Sequence, residues 1–147
     1  MDATLDKPEI NFRHLLLCDE VQHNPLTPGK SYTLVGITNW LQPEVGFDYP
    51  LIVERLMVFA QYWGQRGEHR VRIDLYQVDI EDGNEAFVTT YGNLSLAVHG
   101  NDFVESRRWL LHQVLFEKHG LYEFRIFLDD EFDPIASERL LLREIFT

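Results

Sequence analysis

Residues able to do chemistry are scattered along this chain, and each short motif stops before it becomes a site. Asn24-Pro25-Leu26-Thr27-Pro28-Gly29-Lys30-Ser31 ends like a phosphate-binding loop. Asn24 stands where such a loop needs its first glycine, and the residues that follow read as a strand. Without a helix N-terminus there is no converging ring of N–H groups for phosphate, so the segment reads as a turn. Asp129, Asp130, Glu131 and Asp133 crowd one loop, and Asp79, Glu81, Asp82 and Glu85 another. Loop carboxylates are the ligand type Ca²⁺ requires, and Asp129, Asp130 and Asp133 are the metal candidates. Gly83 falls one position early for a helix-flanked calcium loop. Aspartates also shape turns through their own backbone, and the expectation is no metal and no cofactor. His14, His23, His69, His99, His112 and His119 show no HxH, HxxxH or HExxH spacing, so local sequence gives no zinc site. Ser31, Ser95, Ser106 and Ser137 lack a Gly-x-Ser-x-Gly context. Cys18 lies in an apolar run and reads as an inert core thiol. No catalytic residue emerges, and the expectation is a protein that is not an enzyme.

Aromatic residues are the remaining candidates. Trp40, Trp63 and Trp109 fall at or near expected strand ends, with Tyr62 beside Trp63. Sharing an exposed face, they could stack on a sugar ring or anchor a protein; buried, they are core. Phe127 shares the parity of Glu123 and Arg125, so an apolar ring interrupts an otherwise polar face. It marks either a contact patch or a covered outer face.

The elements that must position these groups read as strands. Gly120 to Leu128 alternates with Tyr122, Phe124, Ile126 and Leu128 on one parity, the period of a half-buried strand. In Glu68 to Ile80, Val71, Ile73 and Leu75 oppose Arg70, Arg72 and Asp74, and Asp82-Gly83 follows as a hairpin turn. Asn11 to Val21 is apolar on both parities at Leu15-Leu16-Leu17-Cys18, and Leu51 to Trp63 is so over part of its length. Both read as strands covered on two faces. Ser31 to Leu41 is rich in β-formers. Ala86 to Tyr91 and Leu94 to Val98 are two strands, or one bulged at Gly92-Asn93. Arg107 to Lys118 fits a helix through Leu111, Val114 and Leu115, or a strand through its β-branched neighbours and Gly120. Glu138 to Ile145 closes the chain. Turn signals between these runs argue an all-β, antiparallel sandwich of seven to nine strands. Residues 1–10 are expected to be a loose terminus and residues 11–147 a single domain.

The chain has 147 residues, a formal net charge of −11 and one cysteine. A strongly acidic chain disfavours phosphate backbones and anionic lipid, so neither nucleic acid nor a membrane is expected as partner. The charge favours solubility and would suit a basic protein partner. Ten Phe, six Tyr and three Trp favour β-structure. The first residues carry no basic and apolar leader pattern, and a lone cysteine asks for no oxidising compartment. The expected setting is the cytoplasm.

Gly120-x-Tyr122-x-Phe124-x-Ile126 resembles the sixth strand of immunoglobulin-like and fibronectin-like sandwiches. In that strand a tyrosine hydroxyl bonds back to nearby backbone. Phe124 stands where antibody domains carry a cysteine, which removes the inter-sheet disulfide. A wider set is similar to a family of small bacterial proteins of unknown function. It comprises Leu17-Cys18-Asp19-Glu20-Val21-Gln22, Gly29-Lys30, Tyr32-Thr33-Leu34-Val35-Gly36-Ile37, Tyr49-Pro50, and Gly67-x-His69-x-Val71-x-Ile73-x-Leu75 with Asp82-Gly83. The resemblance implies an immunoglobulin-like sandwich in the cytoplasm and no assigned activity. The functional expectation is an interaction or scaffold module with an unidentified protein partner and an open oligomeric state. The alternative is a small-ligand or carbohydrate-binding module using exposed aromatics or Ca²⁺.

Overall fold

Alternating side chains need one covered face on each sheet, and the chain supplies it by stacking two sheets. The computed structural model describes residues 9–23 and 32–144. Of the loose terminus expected over residues 1–10, residues 1–8 lie outside the described residues, as do the Asn24–Ser31 turn and the end of the last strand at Ile145. Ile10 is instead the first residue of a strand, pairs with Gly64 and is buried in the core. Among the described residues there are ten strands and no helix. They are β1 Ile10–Cys18, β2 Glu20–His23, β3 Tyr32–Val35, β4 Trp40–Leu41, β5 Leu51–Gly64, β6 Gly67–Val78, β7 Glu85–Val98, β8 Glu105–Phe116, β9 Gly120–Leu128 and β10 Ala136–Leu142. The smaller main sheet has order β1-β5-β8, the larger β4-β10-β9-β6-β7, and β2-β3 forms a separate hairpin. Leu56, Val58 and Leu111 from the smaller sheet share one core with Ile73, Phe124 and Leu140 from the larger.

The count exceeds the expected seven to nine because two expected strands each break in two. The first breaks at Asp19, whose N–H donates to the Val35 and Gly36 carbonyls at 3.0 and 3.2 Å. The second breaks at Gly36, which takes φ 67°. Any Cβ there would collide with the Asp19 carboxylate. Past that joint, Thr38 N–H donates to Leu17 O at 2.8 Å, and the chain enters the larger sheet as β4. Trp40 and Leu41 run parallel to Leu141 and Leu142 of β10, so the larger sheet is mixed, where wholly antiparallel pairing was expected.

Two-faced burial of the central strand follows from its neighbours. On β5, Leu56, Val58, Ala60 and Tyr62 enter the shared core. Met57 and Phe59, of opposite parity, form a second cluster with Cys18 and Val21, and Tyr32 and Leu34 of the β2-β3 region pack on it. The hairpin therefore caps part of the outer face of the smaller sheet, leaving Ile52 and Leu115 exposed at its other end.

Residues 86–98 belong to one bulged strand. Val71 pairs with Leu94 and Ile73 with Tyr91, so Gly92 and Asn93 both stand against Arg72, and Asn93 takes φ 58°. Residues 107–116 are strand, paired with β5 from Leu51↔Phe116 to Tyr62↔Glu105. Their helix-like spacing has a local cause. His112 and Gln113 are both exposed, Gln113 has φ 52°, and the alternation resumes one step out of phase at Val114.

On β9, Phe124 and Ile126 are fully buried and Tyr122 is 2% exposed. The Tyr122 hydroxyl donates to Lys118 O at 2.8 Å, and its ring meets Phe116 edge-on at 4.9 Å between centroids. Tyr62 donates to Ala97 O at 2.9 Å, tying β5 to β7 of the other sheet. Burial, and after it the Glu105 charge, pushes the Tyr62 pKa up to about 12.

Two outcomes are expected. Tyr122→Phe removes the hydrogen bond to the Lys118 carbonyl and lowers unfolding free energy by about 1 kcal/mol, read by urea denaturation. Gly36→Ala costs at least about 1 kcal/mol for the left-handed backbone alone, with the Asp19 collision added. A third concerns alkali. The folded Tyr62 pKa lies above its unfolded value, so its contribution is complete below pH ~10 and is lost as pH rises toward ~12. Melting temperature should fall over that window, and Tyr62→Phe should flatten the fall.

Candidate functional site

The outer face of the larger sheet is built from side chains in register across its strands. One row runs Trp40–Leu141–Leu121–Val78 across β4, β10, β9 and β6. The next runs Arg139–Glu123–Tyr76–Phe87, and the third Ser137–Arg125–Asp74–Thr90. Phe127 and Arg72 pair beyond them. Period-two alternation puts these residues on one side because Val71, Ile73, Tyr122, Phe124 and Leu140 take the core side.

Alternating charge orders the middle of this face. Arg125 lies between Glu123 at 2.6 Å and Glu85 at 2.7 Å, and Glu123 also receives Arg139 Nε at 3.1 Å. The Arg125 guanidinium stacks 4.2 Å above the Tyr76 ring, and Tyr76 meets Phe87 edge-on at 5.6 Å. The hydrogen bond from Arg125 holds the Glu85 carboxyl below its ordinary range, and the Glu85 hydrogen bond, followed by the Glu123 one, raises the guanidinium pKa above its own. Asp74, only 6% exposed, accepts from Thr90 Oγ1 at 2.6 Å and Arg72 Nε at 3.1 Å. A buried carboxylate needs such partners.

The sequence-derived candidates do not assemble. Trp40 is 49% exposed on the apolar row, with Arg143 4.7 Å over its ring. Phe127 shares this outer face but is 5% exposed, because Arg72 lies 4.3 Å over it; it is the covered ring of the two readings. Trp109 is core, and its Nε1–H donates to Ser95 O at 3.0 Å. Trp63 is half-buried on β5, opposite Asn11 of β1. No stacking platform results from these rings. Leu141, Leu121, Tyr76 and Phe87 were missed, although Leu140-Leu141-Leu142 already placed apolar residues on both parities.

The acidic loops serve their own turns. Asp129, at φ 51°, accepts Arg70 N–H at 3.1 Å and contacts His69 Nδ1 at 2.9 Å. Asp130 and Asp133 are exposed. Asp79 and Asp82 each accept a backbone N–H two residues on, at 2.9 Å. Among the described residues no three His, Cys, Asp or Glu gather in a way that could hold a metal ion. His99 contacts Glu105, and His119 stands 4.0 Å from Glu144, so the three His–carboxylate pairs are separate. Ser95 Oγ accepts from Arg107. Cys18 is fully buried, and burial, then the Asp19 charge, pushes its thiol pKa up, away from thiolate chemistry.

Fold and face together define an all-β protein whose larger sheet carries no covering layer among the described residues. Residues 13–137 match the family described as a family of unknown function (DUF6941), and the chain belongs to that family. No curated protein matches. Among solved structures, the chain is similar to Pseudomonas fluorescens alkylpurine DNA glycosylase AlkC bound to DNA containing an abasic site analog. The match has 12% identity and a TM-score of 0.51, and covers 95% of this chain and 32% of that one. The chain thus spans about a third of that protein's length, and the likeness is one of fold.

The exclusion of nucleic acid drawn from net charge is corrected by this comparison, since a structure of similar fold is bound to DNA. The physical fault lies in using a sum. A total of −11 does not describe the local field, and Arg70 and Arg107 both adjoin Ser95, by pairing and by a hydrogen bond. No helix among the described residues is long and apolar enough to cross a membrane.

Replacing Arg125 with Met should return Glu85 to the ordinary carboxylate range in an NMR pH titration. In the native chain the lowered Glu85 pKa gives a contribution present above its unfolded pKa and lost as pH falls through the folded value. The variant should lack that acid-side loss.

Proposed function

We propose that this protein is a non-enzymatic interaction module of immunoglobulin-like build, engaging a partner through the outer face of its larger sheet. Strand order supports the build. β1, β5 and β8 take the places of strands A, B and E, and β6, β9 and β10 those of C, F and G. β7 adds to the C edge. The tyrosine on β9, bonded to backbone four residues upstream, sits where the F strand carries one.

One observation carries the functional reading: apolar side chains stand exposed beside an ordered charge network on the outer face of the larger sheet. Trp40 is 49%, Leu141 44% and Phe87 56% exposed there, whereas β2-β3 covers part of the smaller sheet's outer face and leaves Ile52 and Leu115 exposed at its other end. Apolar groups gathered on a face and rimmed by ordered charge are typical of interaction surfaces. A cytoplasmic setting is part of the proposal, supported by the single, buried thiol of Cys18.

A photo-crosslinking residue at Phe87 or Trp40 should capture one reproducible macromolecular partner in cells, and the same group at Arg55, on the other sheet, should not. Crosslinks from Arg55 alone, or none from the Phe87 and Trp40 positions, would overturn the reading.

A further inference from the structure

At one end of the same face, the apolar row meets the turn after β6 and forms a hollow of about 530 Å³. Val78, Ile80, Leu121 and Leu141 supply its apolar lining. Ile80 is 72% exposed and Leu141 44%, so this lining faces solvent. Volumes of this order take small ligands or a few side chains.

The rim is acidic. Asp79, Glu81 and Glu85 line the hollow against Lys118 and His119, and Asp82 belongs to the same turn. Glu85 is matched by Arg125. Among the described residues no cation pairs with Asp79, Glu81 or Asp82. The N–H groups bonded to Asp79 and Asp82 order these carboxylates without neutralising them.

A third, independent feature is the sheet edge. Glu85 and Ala86 of β7 line the hollow, and β7 is the terminal strand of its sheet. Its outward N–H and C=O groups can pair with an added strand. Bulges at Val88 and at Gly92-Asn93 interrupt that edge. They oppose the long continuous pairing that two copies of this chain would need, and leave room for a short segment.

Resting on the interaction reading above, we propose that this hollow binds a short, extended peptide segment of a partner protein, with an aliphatic anchor flanked by Lys or Arg. The aliphatic side chain covers Ile80, Leu121 and Leu141. The flanking cations meet the Asp79–Asp82 turn, and the extended segment runs across the face toward the start of β7, whose edge only its end reaches.

The test is selection of random twelve-residue displayed peptides on the full chain, followed by fluorescence polarisation with the most enriched one. Enriched sequences should combine Lys or Arg with Leu, Ile or Val. Ile80→Ser and Leu141→Ser should each weaken binding by roughly tenfold, the scale of losing one buried aliphatic contact. Glu81→Lys should weaken it several-fold at low salt, with the difference shrinking as salt rises. Arg55→Glu, on the other sheet, should leave it unchanged, and melting curves should show all variants folded. Enrichment of acidic or unrelated sequences, or binding indifferent to Ile80→Ser and Leu141→Ser, overturns the proposal. Displacement of the peptide by duplex DNA or by phosphatidylserine vesicles at matched ionic strength also overturns it. If the Phe87 or Trp40 crosslink captures a partner whose linked segment carries no cation, the interaction reading survives and this one falls.

Discussion

Everything in this fold depends on sealing one apolar core between two sheets of unequal width. Leu56, Val58 and Ala60 of β5 meet Ile73, Phe124 and Ile126 of β6 and β9 in that core, and each of these six is at most 1% exposed. Burial of that completeness is the dominant favourable term in folding. It leaves a geometric remainder. A three-stranded sheet has a narrow back, which a small hairpin covers in part, whereas a five-stranded sheet has a broad one. The broad back is finished with side chains alone.

Those side chains divide the back into two regimes. Over its middle, arginines lie flat on aromatic rings and between carboxylates, so apolar area is shielded without another layer of chain. Phe127 shows how effective this is, for one guanidinium lies over a ring that an outward position would otherwise expose. Toward the end marked by Trp40, Leu141 and Ile80 the shielding thins: Arg143 lies over the Trp40 ring, yet all three residues stay exposed. Stacked guanidinium groups are pre-organised and weakly hydrated, so the middle of the face is already settled in the free protein. The end is where a second molecule has apolar area to gain.

Much of the architecture was legible in single residues. The parity of Tyr122, Phe124, Ile126 and Leu128 specified β9, and Val71, Ile73 and Leu75 specified β6, because one covered face forces a period of two. The two-faced run at Leu15–Cys18 announced a layer on each side of β1, and β2-β3 supplies the second. What could not be read depended on backbone angles that composition does not encode. Gly36 and Asp19 break two strands through a local joint. The left-handed Gln113 shifts the phase of β8 and so imitated a helical spacing. Leu141 faces outward for a reason set by β4 and β9, far away in sequence. The site was harder still. Aromatic residue types were a usable signal for Trp40, but only the register across four strands shows which apolar residues lie beside it. Net charge misled in its own way, because adding charges discards where they sit.

The parallel pairing of β4 with β10 has a consequence for how the chain assembles during synthesis. Trp40 and Leu41 pair with Leu141 and Leu142, so roughly a hundred residues separate partners in the same ladder. β5 likewise waits for β8, and β6 for β9. Contacts of such long sequence separation form slowly, since the closure entropy of the intervening chain must be met before they return any stabilisation. A nascent chain therefore carries Trp40 beside an unfilled place until the last strand emerges. The end of the face that stays most apolar in the finished protein is also the last part of the sheet to close.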